Sequence, residues 1–274
     1  MSATTTVDRV TSGWRIVPPE VLVARRPQRM IERSAMVVRR SPIIYVSGFF
    51  EPLFYLLSIR IGFSQLVGTV EVGGQTIDYA AFVAPALMAA SAMNGAVYDS
   101  TMNVFFKLRH ARLYDAVLAT PMTPGDVALG EIGFAVLRGL LYSIAFLVTM
   151  WAMGMVGSPW VLMAVPACVL IGFAFAAVGM AATTAMRSWA DFEYVSAVTL
   201  PLFLFSGTFY PPSAYGGWGW VLQLSPLYHG VALVRGFSLG QLEWAMLGHA
   251  AFLAAMAVVG LSIASRRVST LLLT

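Results

Sequence analysis

Six stretches of the chain are apolar over membrane length, at roughly 43–66, 78–104, 131–155, 159–186, 192–209 and 244–265. Most match or exceed the ~20 residues with which a helix crosses a hydrocarbon core. Lipid cannot satisfy open backbone groups, and no short alternating segments of the barrel-strand kind occur, so the pattern predicts six transmembrane helices. Ahead of the first, Met30, Ile31, Ala35 and Val38 recur at helical spacing beyond Pro27, and arginines fill much of the remainder of 25–40. This predicts an amphipathic helix lying in the membrane interface, its arginines near anionic headgroups. Between the fifth and sixth stretches, 206–243 interleaves Tyr210, Tyr215, Trp218 and Trp220 with proline and glycine. Such a segment breaks helices and favours the headgroup zone, so a re-entrant outer segment is expected there rather than another crossing.

Charge sets the orientation. Arg9, Arg15, Arg25, Arg26, Arg29, Arg33, Arg39 and Arg40 precede the first span, and Lys107, Arg109 and Arg112 follow the second. Arg187 follows the fourth, and Arg266 and Arg267 follow the last. With six spans all of these fall on one side, against Arg235 alone on the other, which places both termini in the cytoplasm. The expected division is a cytoplasmic tail and interfacial helix at 1–42, one transmembrane domain at 43–265, and a cytoplasmic tail at 266–274. The eight N-terminal arginines come with no apolar core of a signal peptide, so no cleavable leader is expected.

Composition narrows the class. Of 274 residues 58% are hydrophobic and only 11% charged, with a mean hydropathy of +0.76. A soluble domain carries about 25% charged residues, so a soluble fold and a disordered chain are both excluded, leaving an all-α membrane protein. The single lysine, Lys107, sits in Phe-Phe-Lys-Leu-Arg without a glycine nearby, so the chain carries no nucleotide-binding P-loop. The pI near 9.4 is accounted for by the topological arginines and needs no nucleic-acid partner. Cys168 has no partner for a disulfide. His110, His229 and His249 fall in separate segments, without the spacing of a metal site or a hydrolytic triad, so neither an enzyme nor a metal centre is expected.

Charges inside apolar spans are costly and call for a reason. Glu51, Asp99 and Arg138 each lie roughly 8–12 Å below the inner surface by the ~1.5 Å helical rise, and are expected to cluster between the first three spans. Such a cluster can fix packing, contact a substrate or relay protons. Arg60, half a turn out of phase with Glu51, is expected to snorkel outward. Gly172, Ala176, Ala177, Gly179 and Ala181 make the fourth span a surface for close helix contact. A short helix carrying Asp115, ended before Pro121 and followed by a new helix from Pro124, would suit a groove in a soluble partner.

The stretch from Phe106 to Glu131 resembles the inner loop of the membrane subunits of type-2 ABC exporters, of the NodJ and DrrB sort. The resemblance lies in the basic-then-acidic run ending at Asp115, in Thr120-Pro121, in Asp126 and in Gly130-Glu131. A second match comprises Phe205-Ser206-Gly207, Tyr210-Pro211 and Ser225-Pro226-Leu227-Tyr228-His229 running into Val234-Arg235-Gly236. Arg109-His110-Ala111-Arg112 departs from it, being basic where the family often carries acidic residues. The resemblance covers most of 20–265 and implies a bacterial inner-membrane permease whose loop at about 105–130 couples to an ABC ATPase. It further implies two ATPase copies, which bind the ATP and Mg2+, a homodimer or heterodimer of permeases, and an amphipathic cargo. A lipid-linked saccharide, a lipo-oligosaccharide or a hydrophobic drug fits that description. From another class, a proton-coupled transporter using Asp99 and Glu51 is the alternative.

Overall fold

A computed structural model describes residues 26–40, 50 and 53–273 of the chain. The helix α1 spans Arg26–Arg40 and buries Met30 and Ser34. Its apolar side lies on the start of α5, where glycine removes the obstacle: a Cβ on Gly130 would stand 2.5 Å from that of Met30. The outer side carries the Arg29–Glu32 pair at 3.1 Å, an exposed contact worth little.

Helix α2 runs over Leu53–Val67 and leads into a hairpin, β1 at Thr69–Val72 and β2 at Gln75–Asp78. The hairpin is an addition to the helices expected. Its signals are the alternation of Val70, Val72 and Ile77 about Gly73-Gly74, both glycines having the positive φ a tight turn requires.

Helix α3, Tyr79–His110, is the central element, with nearly every side chain from Tyr79 to Ala96 buried. It is longer than a crossing needs, and two π-helical turns, Asp99–Asn103 and Phe106–His110, widen its second half. The short α4, Leu113–Leu118, precedes α5 at Pro124–Ala152. Helix α5 starts at Pro124, where a new helix is expected, seven residues ahead of the apolar stretch that begins at 131. Thr123 and Asp126 form a capping box with Pro124 in the first turn, a strong start signal. Helix α6 occupies Pro159–Thr183, and α10, Ala245–Leu273, packs along it. Gly172, Ala176, Ala177 and Gly179 are buried in α6. Without a hydrophobic drive between helices in lipid, such small residues hold by letting backbones approach.

Helix α7, Phe192–Leu204, stops short of the expected 209, where the chain turns at Gly207 with φ +70°. A 3-10 turn at Pro212–Trp218, the short α8 at Trp220–Leu224 and α9 at Pro226–Leu239 fill the segment before α10. Among the described residues, four helices are long and apolar enough to cross a membrane: α3, α5, α6 and α10. Over the described residues, helix α2 covers 15 positions and α7 covers 13, fewer than the ~20 residues of a full crossing.

Contacts sort the loops into two ends. At one, α1 lies on α5, Gly125 lies beside Ser265 of α10, and Arg109 Nη2 donates to the Met186 carbonyl at 3.2 Å. At the other, Gln241 Nε2 donates to the Val72 carbonyl at 3.1 Å, and Tyr79 Oη to that of Phe209 at 3.1 Å. The first end gathers the arginine-rich segments and is the basic end of the bundle.

Candidate functional site

The chain reverses at the basic end through Arg112, whose φ of +43° is rare for a residue with a side chain. This turn carries α4 back under the bundle. Tyr114 is its only buried residue, and Asp115, Ala116, Thr120 and Pro121 face outward. The expected coupling residues therefore divide. Asp115, Thr120 and Pro121 offer surface to a partner, whereas Asp126, Gly130 and Glu131 are buried on the first two turns of α5.

Those buried members hold the end together. Asp126 Oδ2 accepts from the Thr123 amide and hydroxyl, both at 2.8 Å, and the Asp126 amide donates back to Thr123 Oγ1 at 3.2 Å. Thr123→Ala is expected to lower the melting temperature of the purified chain by the equivalent of about 1 kcal/mol, the usual worth of such a cap. Glu131 is 3% exposed and accepts from Lys107 Nζ at 2.6 Å, tying the end of α3 to α5. Tyr114 Oη lies close to the Glu131 carboxylate, and Arg33 Nη1 is buried without a hydrogen-bond partner among the described residues. Burial pushes the Tyr114 phenol well above its ordinary pKa, and the Glu131 carboxylate pushes the same way, so Tyr114 stays protonated. Charges from α1 (Arg33) and α5 (Glu131) thus act on Tyr114, the buried residue of α4, whose Leu113, Val117 and Leu118 also pack against the core.

Deeper in the bundle, Arg138 Nη1 donates to Asp99 Oδ1 at 2.6 Å, with 8% and 2% of the two side chains exposed. Arg138 Nε donates to Tyr142 Oη at 2.8 Å, and its guanidinium lies against the rings of Tyr98 and Tyr142. Asn103 Nδ2 also donates to Asp99 Oδ1 across the π turn. Asp99 Oδ2 is buried without a hydrogen-bond partner among the described residues. Glu51 lies outside the described residues. Arg60 reaches Asp78 at 3.9 Å, with both side chains nearly half exposed.

At the end opposite the basic one, Arg235 is buried on α9 and aims at backbone. Its Nη2 donates to the Gly207 carbonyl at 2.8 Å and its Nε to that of Phe82 at 3.2 Å, with the guanidinium over the Phe82 ring. It binds the turn after α7 to α3. Pro226 opens α9, Ser225 Oγ donates to the Leu202 carbonyl at 3.2 Å, and Tyr228 flanks Gly207. Pro211 precedes the 3-10 turn, and Tyr210 is 60% exposed. His229 Nδ1 lies 2.7 Å from His249 Nδ1, a pairing with no signal in the sequence because the two sit 20 residues apart on different helices. Among the described residues, no group of three or more metal-ligating side chains forms.

A cavity of about 480 Å³ opens between α3 and α7, bordered by Tyr55, Ser91, Asn94, Ser196, Thr199 and Phe203 among others. It is apolar with a few hydroxyl and amide groups, the composition that accepts an amphipathic molecule.

The family model for the ABC-2 type transporter matches residues 28–239. Nodulation protein J of Sinorhizobium fredii (strain NBRC 101917 / NGR234) is 31% identical over 206 residues, 74% of this chain and 77% of the relative. Nodulation protein J of Rhizobium meliloti (strain 1021) is 30% identical over 69% of the chain and 72% of the relative. The protein of the same name from Rhizobium leguminosarum bv. trifolii is 32% identical over the same shares.

Proposed function

Because the chain belongs to the ABC-2 type transporter family, we propose that it is the permease subunit of an ATP-driven exporter that moves an amphipathic molecule across the bacterial inner membrane. Two permeases, identical or paralogous, form the path, and two ATPase subunits bind ATP and Mg2+ and drive it. The cargo is a lipid-linked saccharide, a lipo-oligosaccharide or a hydrophobic drug-like molecule. Six crossings, with both termini and the basic end in the cytoplasm, complete the arrangement, and 206–243 re-enters from outside.

The observation that carries the reading is α4. A helix of six residues, anchored by the buried Tyr114 with Leu113, Val117 and Leu118 partly buried against the core, and presenting Asp115 outward between two crossing helices, is a docking element. Through Tyr114 and the buried Lys107–Glu131 pair, force on α4 reaches α3 and α5. Those helices also carry the Asp99–Arg138 pair, and α3 lines one wall of the cavity between α3 and α7. A push by the ATPase is thereby passed to the path.

Asp115→Arg tests this in a reconstituted complex. Reversing a charge at a docking surface replaces attraction with repulsion, so cargo-stimulated ATP hydrolysis is expected to fall about tenfold, the equivalent of ~1.4 kcal/mol, with the melting temperature of the permease unchanged. Unaltered stimulation would refute the docking role. A proton-coupled carrier using Asp99 and Glu51 predicts the reverse pattern, with transport that continues without ATP and collapses with the proton gradient.

A further inference from the structure

Helix α7 has no buried residue, yet it does not simply face lipid. Tyr194, Val195, Val198, Thr199 and Leu202 share one of its faces, and that face borders a second cavity, of about 790 Å³. The opposite wall is built by Thr101 of α3, Gly179 of α6 and Met256 of α10. The slot is mostly apolar beyond the hydroxyls of Thr101, Tyr194 and Thr199, so it offers water few partners, and an empty slot of this size would forfeit dispersion contacts along four helices.

Its basic end has different chemistry. Arg187 borders the cavity, and the guanidinium of Arg109 reaches the adjoining Met186 carbonyl. Neither arginine makes an ion pair with an acidic side chain within 4.0 Å among the described residues. Asp191, also at this mouth, is already engaged, since its Oδ2 accepts from the Arg187 and Ser188 amides at 2.6 and 3.0 Å. Trp189 stands beside it, its indole N–H donating to His110 Nε2 at 3.1 Å, within a cluster of Phe105, His110 and Phe192. Tryptophan next to arginine is the composition of a headgroup layer. The π turn over Phe106–His110 carries Arg109 to this mouth, and such turns gather at functional positions.

Length completes the match. From Tyr194 to Leu202 the lining face of α7 extends about 12 Å, close to the ~15 Å depth of a single leaflet. We propose that this slot is a binding site for one glycerophospholipid of the basic-side leaflet. Its phosphate sits between Arg109 and Arg187, and an acyl chain lies between α7 and the wall formed by α3, α6 and α10. The bound lipid supplies the packing that α7 lacks among the described residues of its own chain. The site adjoins the smaller cavity, with which it shares Thr199, and its test does not depend on the transport reading.

Photolabelling of the full chain in bilayer nanodiscs tests it, with phosphatidylglycerol bearing a diazirine on one acyl chain as the label. Wild-type protein is expected to be labelled in the peptides holding Gly179 and Val195–Leu202. Arg109→Gln with Arg187→Gln should reduce that labelling about tenfold or more, the worth of at least one charge-assisted contact. Val198→Trp, which fills the slot, should abolish it. Labelling confined to outward faces such as those of Trp151 and Trp244, or unchanged in the double arginine variant, would overturn the proposal. So would efficient disulfide formation between two copies of a Val198→Cys chain, which would show that a second copy occupies the slot. Cys168 is fully buried and does not compete in that experiment.

Discussion

Arg138→Ala is expected to destabilise the protein by about 3–5 kcal/mol, the largest loss of any single substitution considered, seen as a fall in melting temperature of the detergent-purified chain. The cause is what remains. Asp99 is 2% exposed, and without the guanidinium at 2.6 Å its carboxylate is a buried charge with only Asn103 to serve it. A second substitution that removes the charge should therefore rescue the first. Asp99→Asn in the Arg138→Ala background is expected to recover more than half of the lost stability, as replacement of buried pairs by neutral groups often does. If the single and double variants melt alike, the pair does not hold the bundle. Transport then separates two roles. If the rescued double variant melts normally but does not move cargo, the pair acts in the path as well as in packing.

Gly260→Leu is expected to separate α10 from α6. A Cβ at this position would lie 2.8 Å from the Val178 nitrogen and 2.9 Å from the Ala177 carbonyl carbon. Both are backbone atoms, so no side chain can rotate aside and the helices themselves must move. Even Gly260→Ala is expected to cost about 1–3 kcal/mol through overpacking, more than the ~1 kcal/mol that alanine gains in helix propensity. Gly172→Ala on the facing helix is the control. Its Cβ would meet nothing closer than 3.9 Å, so the propensity gain should stand and its melting temperature should hold or rise slightly. Equal behaviour of the two alanine variants would contradict the close α6–α10 contact.

How far the sequence reveals this molecule depends on which force places a residue. Of the six crossings expected, the four long helices α3, α5, α6 and α10 are legible because lipid demands long apolar runs, and the start of α5 because Pro124 opens a helix; the capping box of Thr123 and Asp126 is seen only in the structure. Their ends were less legible. Helix α3 continues to His110 through two π turns that no periodicity announces, which carries Lys107 and Arg109 on the helix rather than in a loop. Depth along a span drew attention to Asp99 and Arg138, since both are charges where lipid tolerates few. Depth says nothing about partners such as the Phe82 and Gly207 carbonyls, which Arg235 finds through the fold alone. The same holds for Tyr114. A tyrosine in a short basic loop reads as an interfacial side chain, and only the left-handed turn at Arg112 directs it inward. Nor could a count of acidic residues separate Asp115, which is exposed, from Asp126 and Glu131, which are not.

The central claim is that this chain is driven by a separate ATPase seated on α4. The most direct measurement is purification of the tagged chain from its native membrane in mild detergent, with quantitative mass spectrometry of the proteins that accompany it. The account predicts a soluble P-loop subunit in one-to-one ratio with the permease, lost or strongly depleted when Asp115 is changed to arginine. A chain that elutes without any nucleotide-binding partner, and whose transport follows the proton gradient, would contradict it.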